Sequence, residues 1–502
     1  MKKNIKILIF SVVCLVVLVA ALVVVMNLPS TDESTEETSS QDAILLFDKT
    51  NLKAEDIIVS NESGEYQLLG YDYSDESSDE SSTDESSEED SQIIYTMQDH
   101  SSQILSKTMT DSLAEQCLYM SAIRIVDKSG NRYSEYGLKE PRSTVKVVFS
   151  DNSEVTMYVG NDAPDNKGVY FRMDGNANVY LVQENMINMF LVDKLQMFSK
   201  TISYSFDTDY KIQTVKISGT NYKSNIEIEP INNNANSCNF VLTKPYREIC
   251  DNDFLENYGE SLYGLSGTTV VAVDITDDDM KKYGLDKPYM DVEVTASNET
   301  TAHIIVSKAD DDKNCYLMQS GGTIIYKMST DELPWYDVTY RDFLADAIIK
   351  PNMDNIISAD ISYGGKNYHY DITHKTSKNE LYEDIVTTTV KYESEEIQYI
   401  NFSNFVSNVA GISRSDAVPK SIDGCEKIFS IKYSFDGDDA MTDTLEIYKA
   451  KDKQLIVTLN GNIEGYTSTE YAEKVFEQIE DIPKSSQLDL LNSDVSSTAD
   501  EE

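Results

Sequence analysis

The chain contains one hexapeptide twice, and this internal repeat constrains the fold more than any other feature of the sequence. Tyr136-Gly137-Leu138-Lys139-Glu140-Pro141 returns 147 positions later as Tyr283-Gly284-Leu285-Asp286-Lys287-Pro288. The flanking residues agree at an offset of 147 or 146. These matches are Val145 with Val292, Val147 with Val294, Val159 with Val306, Tyr170 with Tyr316, and Tyr180 with Tyr326. A nearly constant offset over both flanks indicates a duplicated unit, because chance matches of short turns do not keep their spacing.

The hexapeptide has the residue pattern of a connector between a helix and a strand. Glycine ends a helix readily because it adopts positive φ at no steric cost, and proline then prevents the helix from continuing. Before the second copy, Thr276 suits an N-cap and Lys281-Lys282 suit the negative end of a short helix. We therefore predict a short helix before each copy and a structural role for the motif; a ligand-binding loop is the alternative. The motif residues are Tyr136, Gly137, Leu138, Pro141, Tyr283, Gly284, Leu285 and Pro288.

The pattern of strands and helices predicts three units of similar organisation. Each unit consists of hairpins, a helix, a connector, further hairpins and a closing helix, and in the third unit Ser421-Ile422-Asp423-Gly424 replaces the hexapeptide. Because the turns are too short for parallel crossovers, the sheets should be mainly antiparallel. The predicted fold class is α+β: an N-terminal transmembrane helix followed by three repeated, mainly antiparallel β-sheet units, each with packed helices. The predicted boundaries are 1–28 for the anchor, 29–43 for a polar linker, 44–203, 204–350 and 351–484 for the three units, and 485–502 for an acidic disordered tail.

Apolar residues spaced three and four apart predict the helices. Trp335 aligns with Met189 at the offset of 146, so we expect it in the core. The predicted helices cover residues 103–120, 186–198, 254–265, 331–347, 402–409 and 471–479.

Residues 7–28 form an uncharged apolar run of 22 residues. About 20 such residues span the hydrocarbon core of a bilayer. Lys2, Lys3 and Lys6 precede the run, so the positive-inside rule places the N-terminus in the cytoplasm and the bulk of the chain outside the cell membrane. A cleaved signal peptide is the alternative, but Ala20-Ala21 lies within the apolar run and not after it. We therefore predict a single-pass anchor.

The formal net charge of −45 excludes nucleic acid as a partner, because phosphate contacts need clusters of Lys and Arg. Part of the acidity lies in residues 74–91, a Ser/Asp/Glu run between two segments that we predict to be neighbouring strands. A hairpin tip tolerates such an insertion, since the entropy of loop closure grows slowly with length. We predict a solvated, disordered loop; a segment that binds cations or a partner is the alternative.

The sequence contains no recognised catalytic or metal-binding motif. Gly-x-Ser-x-Gly, the Gly-Lys-Ser/Thr phosphate loop, His-Glu-x-x-His and Cys-x-x-Cys do not occur. Aspartate runs at 277–279, 310–312 and 436–439 do not fit a calcium loop and are assigned to caps and turns. We predict no catalytic, cofactor-binding or metal-binding residue. A hydrolase with carboxylates dispersed in sequence stays open, as does pairing of Cys238 with Cys250.

The connector and the strands after it resemble a known family. Tyr-Gly-Leu-x-x-Pro is followed by Tyr158-Val159-Gly160, Val169-Tyr170-Phe171 and Val179-Tyr180-Leu181-Val182, and this pattern is similar to that of bacterial domain-of-unknown-function family 4340. The second copy departs from it, with Val306-Ser307 in place of Val159-Gly160. The resemblance covers most of the chain outside the apolar run. It implies a single-anchored envelope protein associated with ABC transporters similar to the gliding-motility type.

Two classes of function remain. The favoured one is a membrane-anchored extracytoplasmic interaction or scaffold protein, accessory to an ABC-transporter-type membrane complex and without enzymatic activity or cofactor. The alternative is an anchored cell-envelope enzyme or a cation-binding module. A concave site with clustered carboxylates of perturbed pKa would favour the alternative.

Overall fold

The computed structural model describes residues 43–73, 92–164, 167–205, 210–231, 239–378, 384–415, 417–436 and 441–491. The predicted anchor, nearly all of the predicted linker and the acidic insertion at 74–91 lie outside these residues. Within them, no helix combines the length and the apolar character needed to cross a membrane.

Four sheets form the described part of the chain, and their strand pairs are antiparallel, as predicted. A small sheet pairs β1 (Ile44–Asp48) with β5 (Tyr119–Ala122). The first large sheet has the spatial order β4 (Gln92–Met97), β3 (Gly64–Tyr73), β2 (Ala54–Asn61), β7 (Ser143–Phe149), β8 (Glu154–Asp162), β9 (Val169–Met173), β10 (Val179–Val182) and β6 (Arg124–Asp127). The second has the order β14 (Glu248–Ile249), β13 (Phe240–Lys244), β12 (Ile226–Pro230), β11 (Ile212–Ser218), β16 (Met290–Ala296), β17 (Thr301–Val306), β18 (Asn314–Gln319), β19 (Ile324–Ser329) and β15 (Thr269–Val273). The third has the order β23 (Glu395–Ile397), β22 (Asp384–Tyr392), β21 (Lys366–Lys378), β20 (Ile356–Tyr363), β24 (Glu426–Phe435), β25 (Thr442–Lys449), β26 (Leu455–Leu459) and β27 (Asn462–Thr467).

The three large sheets share one topology, which confirms the repeat. Each large sheet consists of two antiparallel meanders. The first meander precedes the first helix of the repeat, the second follows the connector, and one central strand pair joins them. These pairs are β2 with β7, β11 with β16, and β20 with β24. Among the described residues, the third sheet has no strand equivalent to β6 and β15.

Alternating burial explains why the matched segments form strands. Every second residue of β7 and β16 is buried, so that one face of each strand meets the core. Valine fits this half-buried pleated surface well. Val145 pairs with Val59, and Val292 at the 147 offset pairs with Ile217, so the repeat extends to the register of the central strands.

In the described residues, five α-helices and several 3-10 turns connect the strands. The α-helices are α1 (Lys107–Leu118), α2 (Asn252–Glu260), α3 (Asp277–Lys282), α4 (Tyr399–Ala410) and α5 (Thr469–Glu477). Four of them correspond to the predicted helices at 103–120, 254–265, 402–409 and 471–479. The 3-10 helices are Gln98–His100, Glu184–Met186, Asn188–Leu191, Lys194–Met197, Thr330–Glu332, Tyr340–Phe343, Met353–Asn355 and Ile479–Asp481.

The predictions of helices at 186–198 and 331–347 are wrong, because both stretches fold into separate 3-10 turns. In the first, Asp193 is extended and its side chain caps the next turn through the amide of Leu195. In the second, Pro334 supplies no amide hydrogen and Asp337 has a φ of 63°, so neither permits a continuous helix. The apolar spacing did identify buried residues: Phe190 and Phe343 are in the core, and so is Trp335, as expected.

The predicted disordered tail begins too early in the chain. Residues 485–491 pack against α4, and Leu488 is buried. Three buried asparagines of α4, spaced three and four apart, bind this segment. Asn401 accepts a hydrogen bond from the amide of Leu488, and Asn404 and Asn408 donate to the carbonyls of Leu488 and Asp489. The segment is therefore part of the third repeat; residues 492–502 lie outside the described residues.

The chain divides into two compact units. One unit comprises Met1–Gln98 and Asp111–Val192, and the other comprises Asp99–Thr110 and Asp193–Glu502. The second and third large sheets therefore belong to one unit.

Candidate functional site

Both hexapeptides form the same backbone turn. The φ angle is 69° at Gly137 and 70° at Gly284, in the left-handed region that favours glycine. The amide of Leu138 donates to the carbonyl of Tyr133 at 2.8 Å, and the amide of Leu285 donates to that of Met280 at 2.8 Å. This bond across five residues is the signature of a Schellman helix end. Both glycines therefore end a turn in the manner that the sequence indicates.

The two copies differ in what precedes this turn. α3 precedes the second copy, and Thr276 and Asp279 form a capping box at its start. The predicted helix before the first copy is wrong, because residues 133–137 form a single turn. In this turn the amide of Glu135 donates to the carbonyl of Arg132, and the amide of Tyr136 donates to the carbonyl of Tyr133, so each hydrogen bond spans three residues. The chain is thus too tightly wound for α-helical bonds, although the glycine cap is retained.

The side chains of the motif are packing groups. Tyr136 lies 4.8 Å from Tyr170 between ring centroids, and Tyr283 lies at the same distance from Tyr316, with interplanar angles of 59° and 58°. Leu138 and Leu285 are buried in small apolar clusters beside these rings. Pro141 and Pro288 are half-buried, and they lie just before β7 and β16.

The neighbours of the two connectors differ at Gly160, which Ser307 replaces in the second copy. A Cβ atom on Gly160 would lie 2.3 Å from the carbonyl oxygen of Tyr136, so the first connector requires glycine at this position. A Cβ atom on Gly137 would lie 2.3 Å from Oδ1 of Asn161, whereas one on Gly284 would meet only Ser307, at 3.6 Å. The first connector is therefore packed more tightly than the second.

Alanine at Gly137 is expected to destabilise the protein more than alanine at Gly284. Both changes place a Cβ atom at positive φ, which costs about 1–2 kcal/mol. Gly137→Ala adds a clash with Asn161, which costs about 1–3 kcal/mol more. Urea unfolding of the full chain, followed by circular dichroism, measures the two losses. Gly284→Ala is the matched control, since it has the same φ without the clash; equal losses in the two variants would contradict this explanation.

The third repeat contains an open cleft of about 840 Å³. The turn between β20 and β21, the start of β24, the turn between β25 and β26, and α5 form its walls. Phe476 lies 5.1 Å from Tyr363 and 4.9 Å from Phe429 between ring centroids, and these rings form the aromatic floor of the cleft, where Tyr363 is half-buried and the other two are buried. The charged residues that line it are Lys366, Lys427, Lys449, Lys453, Glu426 and Glu473.

Two of these lysines already bind carboxylates. Nζ of Lys366 lies 2.5 Å from Glu480, whose carboxylate raises the pKa of the lysine. Nζ of Lys427 lies 2.9 Å from Glu446. Lys449 and Lys453 are exposed, and no described carboxylate pairs with either of them.

A buried ionic cluster joins the second sheet to the third within one compact unit. Arg414 follows α4 and binds Glu248 of β14 at 2.6 Å and Glu464 of β27. Its second guanidinium nitrogen donates to the carbonyl of Ala345 at 2.9 Å, and Arg341 donates to the carbonyl of Glu464 at 2.8 Å. The side chain of Arg414 is 8% exposed and both glutamates are 1% exposed, so the cluster is sealed from solvent.

The two glutamates of this cluster compete for one cation. No described donor reaches Oε1 of Glu248 or Oε1 of Glu464. Burial and the neighbouring carboxylate of Glu248 together raise the pKa of Glu464 to about 8, against the opposing effect of Arg414 and Arg341. A proton on Glu464 supplies the donor that the two oxygens otherwise lack. The cluster thus holds one proton in the physiological pH range.

The remaining candidate ligands have ordinary partners. His303 contacts Asp291 at 2.7 Å, His369 contacts Asp360 at 2.6 Å, and His374 contacts Thr388 at 2.9 Å, while His100 binds Asp274. Asp279 and Asp310 accept backbone amides at a cap and a turn, as predicted. In the described part of the chain, no three His, Cys, Asp or Glu side chains are grouped as metal ligands. Cys238 lies outside that part.

Residues 105–265 and 241–424 each match the family model described as a domain of unknown function, DUF4340. The chain belongs to the DUF4340 family. Each DUF4340 match contains the C-terminal half of one large sheet and the N-terminal half of the next. The family unit is therefore offset by half a sheet from the structural repeat. No curated protein and no solved structure matches the chain.

Sequence reasoning missed the residues of the cleft and of the ionic cluster. Arg414 is 166 residues from Glu248 and 50 residues from Glu464, and no motif connects them. The lysines of the cleft come from three separate hairpin segments. No pattern in the sequence connects these lysines.

Proposed function

We propose that this DUF4340 protein is a membrane-anchored extracytoplasmic scaffold that binds a membrane protein complex of the ABC-transporter type. The apolar run at 7–28 serves as the anchor, and it raises the local concentration of a neighbour in the same membrane, so that a modest interface suffices. Repeated sheets of one topology suit the binding of a protein better than the turnover of a small substrate.

One observation carries the proposal: the groups suited to acid–base chemistry are sealed, and the accessible cleft is suited to binding. Glu464 has a raised pKa and lies beside the Glu248 carboxylate, an arrangement also found in catalytic carboxylate pairs. The side chains of both glutamates are only 1% exposed, so a substrate does not reach them in this conformation. The open cleft instead presents lysines and the half-buried ring of Tyr363, which recognise other molecules without acid–base chemistry.

The enzyme alternative draws on the same raised pKa of Glu464. A general acid must come within hydrogen-bond distance of the reacting atom. Arg414, Arg341 and the flanking strands occupy that space around Glu464. The scaffold function therefore accounts better for the arrangement.

Crosslinking in native membranes tests the scaffold function. The full chain, crosslinked in intact cells and purified from the membrane fraction, is expected to bring with it a multi-pass transporter subunit. A variant without residues 7–28 is the control, and it is expected to leave the membrane fraction and to lose that subunit. Protease added outside intact cells should remove most of the full chain and leave a short membrane stub.

Two results would reject this function. One is recovery of no membrane partner together with a saturable reaction of a small molecule by the purified chain. The other is complete protection of the C-terminal residues from external protease.

A further inference from the structure

We propose that the cleft of the third repeat, lined by Lys366, Lys427, Lys449 and Lys453, binds an acidic segment of a partner protein. This inference rests on the proposed scaffold function and assigns the contact to one site. Four independent features of the cleft carry it: its charge, its unpaired lysines, its aromatic floor and its accessible backbone.

The charge of the cleft is opposite to that of the chain. The whole sequence has 42 Lys and Arg residues against 87 Asp and Glu residues. The cleft reverses this ratio, with four lysines against Glu426 and Glu473. Because the rest of the molecule repels anions, a local excess of lysine directs an acidic segment to this site.

The four lysines of the cleft fall into two pairs that differ in whether a carboxylate already binds them. Lys366 and Lys427 are held by Glu480 and Glu446, so they border the cleft at fixed positions. Lys449 and Lys453 stand on either side of the turn between β25 and β26, exposed and without an ion-pair partner among the described residues. A bound segment would supply the carboxylates that these two lysines lack.

The floor and one wall accept a peptide. On the floor, the half-buried ring of Tyr363 offers an apolar contact for a side chain between acidic ones, while Phe429 and Phe476 hold it from within the core. On the wall, Gly364 and Gly365 have no heavy atom within 4 Å of an added Cβ atom, so their backbone is open to a ligand. A volume of about 840 Å³ is large enough for several residues.

The spread of the lysines favours a peptide over a phosphate group. A phosphate is recognised by donors that converge on one point, often from arginine in a bidentate arrangement. The four lysines instead come from separate strands and turns, and Glu426 and Glu473 line the same cleft. Carboxylates spaced along a peptide match this arrangement better than one dense charge.

A binding experiment with the full chain in detergent tests the inference. The probe is a fluorescein-labelled peptide of ten residues with alternating glutamate and leucine, and fluorescence anisotropy measures its affinity. Lys449→Glu with Lys453→Glu is expected to weaken binding about tenfold, which corresponds to about 1.4 kcal/mol. A peptide with glutamine in place of glutamate is expected to bind no variant.

Lys375→Glu with Lys432→Glu is the matched control. It changes the net charge equally, and both lysines are exposed and outside the cleft, since Lys375 lies nine residues along β21 from Lys366 and Lys432 lies five residues along β24 from Lys427. At about 3.3 Å per strand residue, both charges are more than about 10 Å from the lysines of the cleft, where screening weakens them, so the control is expected to change the affinity by less than about twofold. Equal loss in the two double variants would overturn the inference, since it would reveal only long-range attraction.

Two further outcomes would also overturn it. One is binding of phosphatidylglycerol vesicles, but not of the peptide, through Lys449 and Lys453; this outcome would assign the cleft to lipid headgroups. The other is a peptide affinity that appears only after removal of residues 492–502, which would assign the cleft to the acidic end of this chain. If the peptide does not bind while crosslinking still recovers a transporter subunit, the scaffold function stands and the cleft inference fails.

Discussion

Replacing Arg414 with methionine is expected to lower the free energy of unfolding by about 3–5 kcal/mol, the loss typical of a broken buried ion pair. The change removes the cation that both Glu248 and Glu464 bind. It also leaves the carbonyl of Ala345 without the hydrogen bond that it receives from Arg414. The Glu248 carboxylate, with protonated Glu464 beside it, would then lie in a medium of low dielectric constant without the cation that binds it, and it must take up a second proton or move towards solvent.

Trp335 provides the measurement. It is the only tryptophan of the chain, it is 1% exposed, and it lies in the compact unit that contains the cluster. Urea unfolding followed by its fluorescence therefore reports the stability of that unit. A loss below about 1 kcal/mol would contradict the expectation, since a cluster worth so little would be no stronger than a surface ion pair.

A triple variant separates the effect of the unpaired charge from the effect of lost packing around Arg414. Arg414→Met together with Glu248→Leu and Glu464→Leu removes every charge of the trio. Buried ion clusters replaced by apolar residues of similar volume often keep or gain stability. The triple variant is therefore expected to recover most of the loss of Arg414→Met. Failure to recover it would mean that packing around Arg414, and not the unpaired charge, causes the loss.

The repeated sheets could be predicted from the sequence because hydrophobic alternation and a constant offset are local properties. Val145 and Val292 are buried at equivalent places in β7 and β16, and the connectors that precede these two strands keep their glycine turn. The predicted helices at 186–198 and 331–347 failed for the opposite reason. Apolar spacing reports which residues are buried, whereas Pro334 and the positive φ of Asp337 decide the backbone.

The sequence contains a signal for the ordered end of the third repeat, although the acidic composition of that end predicts disorder. The acidic composition of residues 485–502 predicted disorder, yet Leu488 is buried against α4. Asn401, Asn404 and Asn408 lie at helical spacing on the buried face of that helix, and buried amides of this kind need partners. They find them in the backbone of residues 484–491.

The cluster of Arg414 could not be predicted by any such rule. Its members come from β14, β27 and the loop after α4, and they meet only because the second and third sheets pack within one unit. Isolated charged residues in a sequence with 87 acids give no signal of burial. Tertiary packing alone decides which of them are sealed, and therefore which of them have a perturbed pKa.

The protonation of Glu464 is expected to make the stability of this unit depend on pH near neutrality. Burial and the Glu248 carboxylate raise the pKa of Glu464 to about 8 in the folded state, above the ordinary value of 4.5 that applies in the unfolded chain. Between these two values the folded state binds a proton that the unfolded state releases. The stabilising contribution is thus complete below about pH 4.5, declines as pH rises, and is lost above about pH 8.

Glu464→Gln is expected to remove this dependence, because an amide donates a hydrogen bond towards Glu248 at every pH. Within the window the slope for one proton reaches about 1.4 kcal/mol per pH unit, so the wild-type protein should lose stability between about pH 6 and pH 8 while the variant stays nearly constant. Urea unfolding by Trp335 fluorescence at several pH values measures both curves. Asp360 raises the pKa of His369, so the contribution of His369 to stability also declines as pH rises. Because His369 is exposed and present in both proteins, the difference between the two curves isolates Glu464. The variant should be the more stable protein above pH 8, and parallel curves would show that the proton does not reside on Glu464.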